Sequence, residues 1–192
     1  MRSVTNPILT CLALALITSC APFNRSNVKN ATPSPPPATP AATVQPPRRF
    51  ASPKGFVNDF AGVIDSSSLA RLEALVQSLK DKSKIEFAIA TVDSTNGESI
   101  DDYSLAMAKE WGIGPKNLDE GGGLLLLVAV KDRRWRLQVS RSLESDLPND
   151  VCKQLGDQSV PLYTNGDYAG GIEKYAKALI ARLEKQRNFK VQ

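Results

Sequence analysis

Leu124-Leu125-Leu126-Leu127-Val128-Ala129-Val130 is the stretch whose reading decides the fold. Seven apolar residues in succession suit a central strand covered on both faces. Downstream, Lys131 to Arg134 supplies a turn. Trp135-Arg136-Leu137-Gln138-Val139 then alternates, which predicts a strand with one wet face that folds back beside its predecessor. Upstream, Ile85-Glu86-Phe87-Ala88-Ile89-Ala90-Thr91-Val92 is apolar on nearly both faces and reads as another inner strand. A helix from Ile100 to Trp111, closed by the Gly112-Ile113-Gly114-Pro115 break, separates the two inner strands. A strand, helix, strand connection predicts a right-handed crossover between parallel neighbours. Further out, Asp65-Ser66-Ser67 offers a helix cap, and Leu69, Leu72, Leu75, Val76 and Leu79 recur at helical spacing to about Lys80. Two helices follow the alternating strand, one from about Pro148 and a long one from Tyr168 to Arg187. The order predicts an α/β fold, a compact α/β sandwich with a mixed β-sheet flanked by helices, over residues 54–187 with a short tail at 188–192.

With 192 residues, 42% of them hydrophobic, the chain has material for one domain with a real core. It contains no histidine, so a Ser-His-Asp triad, a Cys-His pair or a His-ligated zinc cannot be built from it alone. The net charge of +4 suggests nucleic acid until it is divided along the chain. Every Asp and Glu lies beyond Lys54, while Arg2, Arg25, Lys29, Arg48 and Arg49 precede it. That leaves the domain close to neutral, and no nucleic-acid partner is expected.

Residues 1–19 read as an export signal. Arg2 gives the positive end, Ile8 to Ile17 the short apolar run, and small residues in Ile17-Thr18-Ser19 precede Cys20. The tetrapeptide resembles a bacterial lipobox, which implies cleavage before Cys20 and lipidation of its thiol; an ordinary secretory signal with a chance cysteine is the alternative. The expected location is the cell envelope, with the protein exported and lipid-anchored to a membrane. Ala21 favours the outer membrane in a diderm organism, because aspartate is the residue that would argue for inner-membrane retention there. Residues 20–53 carry nine of the 13 prolines, among Ala, Thr, Ser and Asn, and should form a tether. Such an arm reaches roughly 100 Å if polyproline-like and roughly 30 Å as a coil. Cys152 would be the other thiol of the mature chain, and its place in an amphipathic helix reads as core packing.

Gly55-Phe56-Val57-Asn58-Asp59-Phe60-Ala61-Gly62-Val63-Ile64, Trp111-Gly112-Ile113-Gly114, Gly122-Gly123-Leu124-Leu125-Leu126-Leu127-Val128-Ala129 and Asn165-Gly166-Asp167-Tyr168 stand in one order and spacing. Together they resemble the TPM domain family over roughly residues 54–187. The resemblance implies a membrane-associated α/β sandwich, with calcium binding and weak phosphatase activity in some members. It implies no single shared reaction.

Strand directions place Asp119 and Glu120, before the inner strand, beside Ser140-Arg141-Ser142-Leu143-Glu144, with Asp150 shortly after. Carboxylates on glycine-rich backbone form a hard-oxygen environment suited to Ca²⁺ or Mg²⁺. The resemblance adds Asp59 to this end. The same acids serve equally as solvated loop residues and helix caps. Where the family has Gly-Tyr-Gly-Leu-Glu, this chain has Ser140-Arg141-Ser142-Leu143-Glu144, so Arg141 puts a fixed cation where a metal would sit and could pair with Glu144. Lys131, Arg133 and Arg134 in the turn, with Arg136, suit phosphate groups or a partner, though a charged turn is more commonly just solvated. Two functions are therefore expected: a tethered module binding an unidentified envelope protein, with a possible divalent cation, or a weak metal-dependent phosphatase.

Overall fold

The computed structural model describes residues 49–114 and 121–191. Cys20, the signal, most of the tether, Asp119 and Glu120 lie outside the described residues. The elements are β1 (Val57–Asp59), α1 (Ser66–Ser83), β2 (Ile85–Val92), α2 (Ile100–Trp111), β3 (Gly122–Ala129), β4 (Arg134–Val139), a 3-10 turn at Arg141–Leu143, α3 (Asn149–Asp157), α4 (Val160–Thr164) and α5 (Tyr168–Arg187). They form one four-stranded sheet in the order β1-β2-β3-β4. β1 and β3 run parallel to β2, and β4 runs antiparallel to β3.

Side-chain alternation distributes the core between two layers. On one face Phe87, Ile89, Leu124, Leu126 and Leu137 meet Leu72, Val76 and Leu79 of α1 and Ile172, Leu179 and Leu183 of α5. On the other face Ala88, Ala90, Leu125 and Leu127 meet Met107 of α2 and Phe50. Both crossovers, β1-α1-β2 and β2-α2-β3, step in the same direction across the sheet, yet α1 and α2 lie on opposite faces. The two crossovers therefore have opposite hands, a departure from the usual right-handed rule.

Local chemistry sets the element ends. Asp65 caps α1 by accepting from Ser67 N and Ser68 N, each at 3.0 Å. Ser67 and Ser68, through their hydroxyls first, hold its carboxyl well below the ordinary range. Helix α1 runs to Ser83, one turn past the expected end, and stops where Lys84 turns left-handed at φ 62°. β1 is an added strand that periodicity did not predict. Its pairing is supported from the side, because Glu73 of α1 accepts from Phe56 N at 3.2 Å and Val57 N at 2.9 Å.

The folded body also begins earlier than Lys54. Phe50 is buried, its N–H donates to Glu110 at 3.0 Å, and Trp111 Nε1 donates to Ala51 O at 3.0 Å. At the other terminus, Phe189 and Val191 pack on the core and Val191 N donates to Glu184 at 2.6 Å. No described helix is long and apolar enough to cross a membrane.

Candidate functional site: the cleft beside the β3–β4 hairpin

The hairpin turn is held from inside by its one acid. Asp132 accepts from Ser94 Oγ at 2.7 Å and Thr95 N at 2.8 Å, which ties the turn to the loop after β2. These contacts, Thr95 N–H first, lower the Asp132 pKa. Lys131 is paired with Asp93 at 2.9 Å. With those two side chains engaged, Arg133, at φ 54°, and Arg134 remain exposed and make no ion pair among the described residues.

Beside them lies a cavity of about 300 Å³ floored by Val128, Trp135, Tyr163 and Tyr168, with Arg133 and Arg134 on its rim. Tyr163 and Tyr168 stack with centroids 5.8 Å apart. The Tyr163 hydroxyl is buried without a hydrogen-bond partner, and burial drives its pKa upward. A second groove, of about 580 Å³, shares Arg133, Arg134 and Trp135 and continues between β4 and α3. Arg136 in this groove stands 2.8 Å from Asp101. Its Nε lacks an aligned hydrogen bond, so the contact is an ion pair by distance alone. Cys152 on the α3 wall is 5% exposed, and burial pushes its thiol up to about 11, in keeping with core packing rather than nucleophilic use.

The expected acidic edge is assembled only in its backbone. The start of β3 and the end of β4 do meet: Ser140 N donates to Gly123 O and Gly123 N to Ser140 Oγ, both at 2.9 Å. Gly121 permits the close turn there, since φ is 46° and a Cβ would fall 2.1 Å from Lys84 O. Asp59, however, is at the other end of the sheet. It is registered with Thr91 near the end of β2, whereas Gly122 is registered with Ile85, a separation of roughly 20 Å along the strand. The family-derived placement of Asp59 beside Glu144 is therefore corrected. Asp59 instead closes its own loop, accepting from Val63 N at 3.1 Å, Ile64 N at 2.9 Å and the Thr91 hydroxyl.

Glu144 and Asp150 are exposed and line different parts of the β4 groove. Among the described residues no three His, Cys, Asp or Glu side chains gather as a metal would need. Arg141 is exposed and forms no described pair with Glu144. Arg187 of α5 is the cation that orders this end: it bonds Asp146 Oδ2 at 2.6 Å, Ser142 O at 2.7 Å and Gly121 O at 3.3 Å. The sequence showed Arg187 only as one of several bases on a long helix. Its neighbours are largely engaged as well, Lys177 with Glu173 at 2.6 Å and Arg182 with Asp146 O at 3.2 Å.

Fold and cleft together define a small three-layer α/β domain with a basic, aromatic-floored groove at one sheet edge. A family model for the TPM domain matches residues 57–182. The chain belongs to the TPM domain family. Among solved structures it is similar to the N-terminal domain of a Porphyromonas gingivalis (P.gingivalis) protein, with 26% identity, TM-score 0.63, and coverage of 70% of this chain and 85% of that one. It also shares its fold with the N-terminal domain of a Corynebacterium glutamicum protein, at 17% identity and TM-score 0.54, covering 74% of this chain and 86% of that one. The BA42 protein of the psychrophilic bacterium Bizionia argentinensis has the same fold at 15% identity and TM-score 0.55, covering 67% and 86%. The comparison with curated proteins finds no match.

Proposed function

We propose that this chain is a lipid-tethered module of the bacterial cell envelope that docks a protein partner through the cleft beside the β3–β4 hairpin. One observation carries the reading: Arg133 and Arg134 rim a cavity floored by Trp135, Tyr163 and Tyr168 while the turn's other charges, Lys131 and Asp132, are already engaged. Aromatic and arginine side chains at a concave surface are the residue types on which binding energy concentrates. An acidic partner surface complements the two arginines. Lipidation at Cys20 and the proline-rich arm would hold the domain within reach of a membrane complex and leave it free to turn.

Crosslinking in intact envelopes with the full chain tests this. The unmodified chain should capture a defined partner, and Arg133→Glu with Arg134→Glu should reduce capture at least about tenfold without changing the melting temperature. Cys20→Ser should release the chain from membranes after a salt wash. Equal capture by the charge-reversed chain, or chelator-sensitive turnover of a phosphate ester, would overturn the docking reading.

A further inference from the structure

The docking reading names a surface but not the form in which a partner meets it. The register of β4 supplies that form. Ser140 N donates to Gly123 O, so the even-numbered residues Ser140, Gln138, Arg136 and Arg134 turn their backbone groups toward β3. Trp135, Leu137 and Val139 turn theirs outward. No described strand pairs on that side, because β4 ends the sheet. The opposite edge is managed differently: β1 is three residues long and Glu73 occupies its neighbouring N–H groups.

The open edge of β4 is also roomy. The groove of about 580 Å³ follows β4 from Arg133 to Leu137, and another of about 300 Å³ continues it from Arg136 to Val139. Its far wall is Leu147-Pro148-Asn149 and α3, which packs on α5. Two charges in the trough are cancelled locally, Arg136 by Asp101 at 2.8 Å and Lys153 by Asp157 at 2.6 Å. Arg133 and Arg134 outweigh Asp150 in the larger groove, while Glu144 is the acid of the smaller one. The trough is thus basic at the hairpin and close to neutral beyond Val139, where Glu144 stands three residues from the exposed Arg141.

We infer that the partner enters as an extended peptide segment that adds a fifth strand to β4, with acidic side chains opposite Arg133 and Arg134. This deepens the docking proposal and rests on it. Main-chain bonds to Trp135, Leu137 and Val139 hold the segment, and the charge gradient sets its direction. An antiparallel segment carries its acids at the C-terminal end.

The probe is a synthetic peptide of alternating valine and threonine ending in two glutamates, added to the detergent-solubilised full chain and followed by residue-resolved hydrogen exchange. The amides of Trp135, Leu137 and Val139 should slow at least about tenfold, while those of Arg136 and Gln138, already bonded to β3, should not change. The same peptide N-methylated at alternate residues should give no protection, and Arg133→Glu with Arg134→Glu should weaken the unmodified peptide about tenfold. Protection spread away from β4, no protection at all, or protection that grows with protein concentration in the absence of peptide would overturn strand addition; the last would indicate self-pairing. If the charge-reversed chain loses envelope capture while the peptide leaves β4 unprotected, docking stands and strand addition falls. Peptide protection without any captured envelope partner leaves strand addition in place and refutes the docking proposal.

Discussion

Gly156→Ala is the most informative single substitution, because two opposing effects act at one buried helix position. Within α3, replacing glycine by alanine favours the helix by about 0.8–1.0 kcal/mol. Against it, a Cβ at 156 would stand 2.2 Å from Cη2, 2.5 Å from Cζ2 and 2.9 Å from Cζ3 of Trp135. Ordinary carbon contacts lie at about 3.5–4.0 Å, so ring or helix must retreat by more than about 1 Å. The ring has little room to yield. Tyr175 packs edge-on against it at 5.1 Å, has no exposed surface, and is fixed by its hydroxyl to Cys152 O at 2.9 Å. Overpacking of this kind costs about 1–3 kcal/mol, which leaves a net loss of about 1 kcal/mol and a fall in melting temperature of about 3 °C. Urea and thermal melts of the full chain measure it. In a Trp135→Phe background the three clashing ring atoms are gone, and the same Gly156→Ala change should become neutral or stabilising. A stabilised Gly156→Ala single variant, or a double-mutant cycle with no coupling, would refute the close packing of α3 on Trp135 and with it the described wall of the β4 groove.

Three other outcomes are expected. Arg187→Ala frees Asp146, Ser142 O and Gly121 O and should cost about 1–2 kcal/mol by urea melt, because the bonds are charge-assisted but partly exposed. Asp59→Ala should destabilise the loop from Phe60 to Ile64 by about 1–3 kcal/mol, equally with calcium and with chelator; a calcium-dependent difference would show that Asp59 serves a metal. Asp65 and Asp132 have lowered pKa values, so their contribution is full above the unfolded carboxylate value of about 4 and is lost as pH falls through the folded values. The urea midpoint should therefore drop between about pH 5 and pH 2, and Asp65→Asn with Asp132→Asn should lower it at pH 7 and flatten the acid limb.

Where burial alone decides structure, much of the chain could be read closely, although the strand expected over Leu124–Val130 runs from Gly122 to Ala129. Ile85–Val92, Ile100–Trp111 and Tyr168–Arg187 have the predicted bounds, because uninterrupted apolar character or helical spacing marks them. Elements that depend on a distant side chain could not. β1 is three residues whose edge is completed by Glu73, and Phe50 is held against α2 by Glu110, which accepts from its N–H, by Trp111, which donates to Ala51 O, and by the edge-on ring of Tyr103. A segment introduced by Pro46-Pro47-Arg48-Arg49 carries no sign of that contact. The resemblance places Asp59 at the other end of the sheet, and the residues alone offer no check on it. Its place follows from the pairing of Val57 with Ile89, midway along β2, and hydropathy does not reveal which part of a strand its neighbour meets.

The location of the proposed binding edge was nevertheless present in the pattern. β2 and β3 are apolar on both faces, as strands sandwiched between helices must be, whereas β4 alternates. A strand that keeps a polar face in such a sheet belongs at its edge, and an edge is where another strand can be added. What composition could not give is the residual charge along that edge. Four basic residues near β4 look equivalent in sequence, but Asp101 reaches Arg136 from 35 positions away and Asp157 meets Lys153 one helical turn on. Only after these pairs are formed do Arg133 and Arg134 stand out at the hairpin end, while Arg141 and Glu144 offset each other at the far end. The direction in which a segment can lie on β4 is thus set by which arginines the fold has already neutralised, and substituting Asp101→Asn, which frees Arg136, should blur that direction and let the reversed peptide, with its glutamates first, compete with the original.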